Sequence, residues 1–97
     1  MRSVYLIAYD VRDDKRRDRV FKILRGFGDH LQFSVFRVEA TDSELVRLRA
    51  RLVEAINNQA DSVLLADLGP ADGRGVDAVA TIGVPCLPAG GREAVIW

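Results

Sequence analysis

The spacing of apolar residues changes character several times along the chain. Residues 3–11, SVYLIAYDV, are apolar at most positions and rich in β-branched and aromatic side chains, which predicts a buried strand. Val20, Phe21, Ile23, Leu24 and Phe27 then recur at helical spacing. Asp13 or Asp14 offers the N-cap of that helix and Gly28 its stop. Residues 30–40, HLQFSVFRVEA, are extended again, as one long strand or as two short ones broken near Ser34. Thr41 and Glu44 stand at capping-box spacing. Leu45, Leu48, Leu52 and Ile56, with Val46 and Val53 beside them, predict a second amphipathic helix running to about Gln59. Residues 62–68 read as a third strand region, GPADGRG as a turn and residues 76–82 as a further extended stretch. GVPCLPAGG reads as a loop that Pro85 and Pro88 keep irregular, and EAVIW as a short terminal strand.

This order of elements describes an α+β domain, a ferredoxin-like sandwich in which two helices lie on one face of an antiparallel sheet. One domain is expected, with a core over about residues 1–83 and a tail strand over about residues 92–97. Strand alternation sharpens the picture. In the first strand Tyr5, Ile7 and Tyr9 point one way, and Val4, Leu6, Ala8 and Asp10 the other. Both sets are largely apolar, yet two helices cover only one face. A homodimer is the simplest cover for the second face. The terminal AVIW adds a bare apolar strand, which pairs either with a partner or within its own chain.

Charge changes this picture locally rather than globally. The 97 residues carry 14 Lys plus Arg and 14 Asp plus Glu, which excludes a globally basic nucleic-acid binder but not a locally basic surface. Between Arg12 and Arg25 there are seven bases and three acids, so this helix is the basic part of the molecule. The single cysteine, Cys86, cannot form an internal disulfide and is expected to be a passive thiol. No Cys/His cluster suggests structural zinc. The N-terminal apolar run is broken by Asp10 and is too short for a signal peptide or a membrane span, so a soluble cytoplasmic protein with no membrane partner is expected.

The junction YDVRDDKRR concentrates the candidate chemistry. Asp10 lies near the end of the first strand, on the face assigned to a partner. In a two-fold dimer it can meet its own copy, and a divalent cation such as Mg²⁺ or Mn²⁺ would relieve the repulsion of two carboxylates. A metal so held can activate water for phosphodiester cleavage. An aspartate here also commonly caps a turn or starts a helix, and spacing alone leaves that alternative open. With Val20 at the centre of the helix's apolar face, Arg16 lies about 40° to one side and Arg17 about 60° to the other. Cations in a first helical turn oppose the macrodipole, and guanidinium forks match phosphate oxygens. Arg16, Arg17 and Arg19 are therefore either phosphate ligands or members of ion pairs with nearby acids. Lys15, Lys22 and Arg25 fit a solvated face. Tyr5, Phe21, Phe27, Phe33 and Phe36 are expected in the core or an interface rather than as base-stacking platforms. Trp97 is expected to anchor the tail.

YDVRDDKRRDRV followed by GFGDHLQFSVF resembles the small CRISPR-associated adaptation protein family. Its members are ferredoxin-like partners of the CRISPR integrase and are also described as metal-dependent endonucleases or endoribonucleases. The resemblance is strongest over residues 5–36 and returns at the terminal VIW. It implies a homodimer with sheets packed face to face and C-terminal strands exchanged. It also implies one Mg²⁺ (or Mn²⁺) shared by the two copies of Asp10, an integrase subunit as partner, and DNA or RNA as ligand. By position, Tyr9, Arg17, Arg19, Ser34 and Phe36 match the family's other catalytic residues. The sequence departs from the family at His30, where arginine is frequent, and at Arg37, where an acid is frequent. A histidine there would weaken a phosphate clamp or make it pH-dependent, and Arg37 would add a base to the nucleic-acid surface. The competing readings are a toxin-type ribonuclease and a non-catalytic ferredoxin-like interaction module.

Overall fold

The computed structural model describes residues 1–85. Four strands and two helices alternate as β1 (Ser3–Asp10), α1 (Asp14–Arg25), β2 (Gly28–Gln32), β3 (Val35–Ala40), α2 (Asp42–Ala55) and β4 (Ser62–Pro70), followed by a short 3₁₀ helix at Arg74–Asp77. The sheet order is β2-β3-β1-β4, and every neighbouring pair is antiparallel. This is the expected ferredoxin-like arrangement. No helix among the described residues is long and apolar enough to cross a membrane. The expected terminal strand, with Cys86 and Trp97, lies outside the described residues.

Strand alternation sorts the core. Tyr5, Ile7 and Tyr9 of β1 and Phe36, Val38 and Ala40 of β3 form one buried cluster with Val20, Ile23 and Leu24 of α1 and Leu48, Leu52 and Ala55 of α2. Both helices therefore cover the same face. The register sets Leu6 opposite Arg37 and Ala66, and Ala8 opposite Val35 and Leu64, so these residues share the other face. Leu64 there is 69% exposed. At one end of that face Gly75 of the 3₁₀ segment packs on Val4, where a Cβ would come within 2.8 Å of the valine Cγ2.

Each helix is capped by the residues its local sequence supplies. Of the two candidate aspartates it is Asp13 that caps α1, accepting from the Arg16 amide at 3.0 Å. For α2 the capping box forms in full: Thr41 Oγ1 accepts from the Glu44 amide at 3.2 Å, and Glu44 Oε1 accepts from the Thr41 amide at 2.9 Å. That helix stops at Ala55 rather than near Gln59, because Ile56 turns extended and Asn57 starts a local turn. The Asn57 carbonyl accepts from the Ala60 and Asp61 amides, and its side chain accepts from the Gln59 amide, the alternative that asparagine offers to a continuing helix.

Two boundaries differ from the sequence expectation, and one open reading is resolved. The extended region before Ala40 is the two-strand alternative, broken beside Ser34 at Phe33, whose φ is +28°. A left-handed backbone at a non-glycine residue costs about 1–3 kcal/mol. Residues 76–82 form no strand; their start belongs to the 3₁₀ helix and the remainder carries no regular structure. Gly28 does not stop α1, which ends at Arg25 with Gly26 as its cap. Instead Gly28 opens β2 and lets β3 approach closely: a Cβ at this position would lie 2.3 Å from the Arg37 carbonyl oxygen and 2.8 Å from Val38 Cγ2.

Gly28→Ala should therefore lower the thermal midpoint. Overpacking of this kind costs about 1–3 kcal/mol, equivalent to roughly 5–20 °C in a domain of this size. Thermal unfolding followed by circular dichroism measures it, and an unchanged midpoint would mean that the strands do not meet this closely in solution.

Candidate functional site

The C-terminal end of β1, the first turn of α1 and the β2–β3 turn meet at one end of the sheet. The Tyr9 amide donates to the Ser34 carbonyl at 3.1 Å, which ties the first strand to the turn. Consecutive strand residues face opposite sides, so Tyr9 and Asp10 share this end but not a face. Tyr9 is buried beneath α1, stacked at 6.3 Å between ring centroids on Phe36. Burial raises its phenol pKa, and the nearby Arg17 charge partly opposes that shift. Asp10 is exposed on the face without helices, opposite Ser62 of β4. It has no side-chain hydrogen bond or ion pair among the described residues.

The basic side chains of the α1 region divide by partner. Arg17, 41% exposed, pairs with Asp14 one helical turn away, and Lys22 pairs with Asp18 at 3.1 Å. The Arg25 guanidinium sits 5.7 Å from the centre of the Phe21 ring. Arg12, Lys15 and Arg19 are exposed and have no ion-pair partner among the described residues. Arg17 and Arg19 project to different sides of α1, since residues two apart on a helix do not face each other. Arg17 lines a groove of about 360 Å³ with Tyr9, Asp14, Asp18, Phe21 and Phe33; Arg19 does not.

Arg16 is committed elsewhere. Its Nε donates to Asp61 Oδ2 at 2.7 Å and its Nη2 to Asp61 Oδ1 at 3.2 Å. The same carboxylate accepts from the Arg12 amide at 2.9 Å and the Asn57 amide at 2.8 Å, and its side chain is fully buried. The Arg16 hydrogen bond, aided by the two backbone amides, outweighs desolvation and holds the Asp61 carboxyl far below the ordinary aspartate range. The Arg16 pKa is raised in return, chiefly by the same bond. Asp61 fixes the loop that follows Asp10 and is absent from the sequence-based set. Its only sequence signal is an acid just before an apolar strand, 45 residues from the arginine it holds.

The remaining expected residues are dispersed. Phe36 is fully buried and packs beneath Tyr9, Phe21 and His30, so it supports the site without meeting solvent. The His30 ring lies edge-on to Phe21 at 5.0 Å, and its Nε2 donates to the Phe33 carbonyl at 2.7 Å. Arg37 is buried on the face without helices, 3.9 Å from the Asp29 carboxylate, not displayed on a basic surface. Ser34 is half-buried at the turn. Phe33, expected in the core or an interface, is 92% exposed. Among the described residues no group of three or more His, Cys, Asp or Glu side chains could hold a metal ion. One chain thus brings a single free carboxylate, Asp10, to this end of the sheet, a donor suited to a hard cation only when a second copy supplies another.

Residues 2–73 match the family profile described as "CRISPR associated protein Cas2". A protein of Geobacter sulfurreducens named CRISPR-associated endoribonuclease Cas2 is 39% identical over 72 residues, covering 74% of this chain and 76% of that protein. A protein of the same name from Thermus thermophilus is 41% identical over 71 residues, covering 72% of this chain and 76% of its own. Among solved structures, Streptococcus pyogenes Cas2 at pH 6.5 superposes with a TM-score of 0.69 at 30% identity, covering 82% of this chain and 99% of that one. The hypothetical protein TT1823 from Thermus thermophilus gives a TM-score of 0.77 at 27% identity, covering 91% and 99%.

The buried carboxylate makes a stability prediction. Its pKa is lowered by folding, so its contribution is complete above the ordinary aspartate value of about 3.9 and is lost as pH falls toward the folded pKa. Asp61→Asn should lower the thermal midpoint at neutral pH by on the order of 10 °C, the scale of a broken buried pair. The gap between native and variant should narrow below about pH 4. Melting curves across pH test this, and a gap that stays constant into acid would contradict it.

Proposed function

Since the chain belongs to the Cas2 family of CRISPR-associated proteins, we propose that it is a homodimeric, metal-dependent endonuclease of CRISPR adaptation that also binds duplex nucleic acid and bridges copies of an integrase subunit. Relatives that carry the name endoribonuclease support the hydrolytic part of this reading. The observation that carries it is the position of Asp10, an exposed carboxylate without a partner among the described residues, at the end of an apolar strand face that neither helix covers.

Packing of two such faces would bring both copies of Asp10 to the dimer axis. Two carboxylates with several waters are a fitting donor set for Mg²⁺ or Mn²⁺. When bound, such a cation supplies an activated water and neutralises charge on the phosphodiester. The chain's own residues would do the rest. Arg12, Lys15 and Arg19 are free to meet phosphate oxygens along the rim of the dimer. Arg17 remains partly exposed and can add a contact without leaving Asp14. Ser34, at the same end as Asp10, can donate a hydroxyl hydrogen bond to the substrate. Tyr9 and Phe36 keep the end of β1 rigid from below. Arg16 holds the loop through Asp61. The three cations of the α1 region without an ion-pair partner among the described residues favour a binding role that persists without hydrolysis, as bridging an integrase on duplex DNA requires.

Asp10→Asn should reduce phosphodiester cleavage at least about 100-fold, because a metal contributes several kcal/mol and each 1.4 kcal/mol or so is tenfold in rate. Duplex binding should survive that substitution. Cleavage undiminished in a clean preparation would remove Asp10 from the chemistry. If a dimer uses its six copies of Arg12, Lys15 and Arg19, log K should fall against log[salt] with a slope of about −5, and Arg19→Ala should reduce that slope by about 2. An affinity insensitive to salt would contradict phosphate binding here.

A further inference from the structure

Phe33 stands apart from every other aromatic residue described. It is 92% exposed, while Tyr5, Tyr9 and Phe36 are buried and Phe21 and Phe27 pack against the core. Its backbone has a φ of +28° at the tip of the β2–β3 turn, a conformation that favours glycine or asparagine. Neither the exposure of the ring nor that backbone serves the stability of the domain. The turn is nevertheless firmly placed. The Phe33 carbonyl accepts from His30 Nε2 at 2.7 Å, and His30 is itself wedged against Phe21 and Phe36. On the other side of the tip the Ser34 carbonyl is held by the Tyr9 amide.

The ring forms one wall of the groove whose other walls are Tyr9, Arg17, Phe21, Asp14 and Asp18. This groove opens on the α1 side of the sheet, whereas the apolar face suited to a second copy lies on the opposite side. A dimer formed through that face leaves the groove free. Its acids are already answered, Asp14 by Arg17 and Asp18 by Lys22. What remains is a flat π surface beside a partly exposed guanidinium. An unpaired nucleobase with its attached phosphate has that pair of features in complement. A base within a duplex is stacked on its neighbours and cannot offer its face.

We propose that Phe33 is a stacking platform for an unpaired base of a single-stranded nucleic acid, with Arg17 meeting the adjacent phosphate. This rests on the nucleic-acid reading above and adds a residue to it: the Phe33 ring in the groove meets a base face, whereas Arg12, Lys15 and Arg19 attract any phosphate backbone. The fixed turn means that the ring is ordered before binding, so stacking there loses little to immobilisation.

The test measures affinity of the full chain, without divalent cation, for three probes: a short single-stranded RNA, an abasic strand of the same length, and a duplex of the same sequence. Native protein should bind the base-bearing strand about 5- to 100-fold more tightly than the abasic one, the range that one aromatic stack supplies. Phe33→Ala should bind both strands alike, at the abasic level, and Phe33→Trp should restore the difference. Duplex affinity should change less than about twofold in either variant, since a duplex hides its base faces. The proposal fails if Phe33→Ala leaves the preference for bases intact, or if it weakens duplex and single strand equally. It also fails if sedimentation shows that the substitution dissociates a dimer, which would seat the ring on a second copy. Native protein that binds none of the three probes at low salt would overturn the nucleic-acid reading itself, and that result appears before any substitution is made.

Discussion

One carboxylate, fully withdrawn from water, holds together the elements that meet at the candidate site. Asp61 receives four hydrogen bonds from three places: the loop after β1, the first turn of α1, and the end of α2. A buried charge is costly unless paired and hydrogen-bonded on every side, and here the donors come from separate elements. No two of those elements can shift without stranding the charge. The end of β1, the start of α1 and the entry to β4 are therefore held as one piece, and Asp10 is displayed from that piece. Arg16, which the helical phase places beside the apolar face, does its work inside the protein.

The second constraint is geometric. Both helices lie on one face of a sheet whose other face presents Leu6, Ala8, Val35, Leu64 and Ala66. A face so composed favours association, and Asp10 lies at its end. Under the proposed function, which needs a second copy of Asp10, catalysis would be coupled to assembly. The cations of the α1 region divide on the same grounds. Those paired with Asp14, Asp18 and Asp61 stabilise the fold, while Arg12, Lys15 and Arg19 have no ion-pair partner among the described residues.

Much of this could be read from the chain. Periodicity located both helices and the regions that become the four strands, Thr41 and Glu44 announced their capping box, and alternation alone put Asp10 and Tyr9 on opposite faces. Local pattern fails where the decisive contact is remote. Gly28 looks like a helix stop because glycine often is one; what demands glycine is the approach of the Arg37 carbonyl from β3. Asp61 shows locally only as an acid before an apolar strand, and nothing there points to its partner 45 residues away. Arg37 looks like a surface base in sequence, yet the sheet buries it beside Asp29. Phe33 reads as a core or interface residue; the structure sets it at the tip of the β2–β3 turn, outside the core of its own chain.

The near-uniform apolarity of β1 has a consequence for folding. A strand with one polar face is locked in register, because a one-residue slip would bury that face. β1 has no such face. Slipped by one, Leu6 would enter the core in place of Ile7 at modest cost, while Ala8 in place of Tyr9 would leave a cavity. The slip is punished again by the single acid of the strand, which would be driven beneath α1 with no donor to receive it. Before it can meet any substrate, Asp10 thus acts as the marker that tells the nascent sheet which side is out.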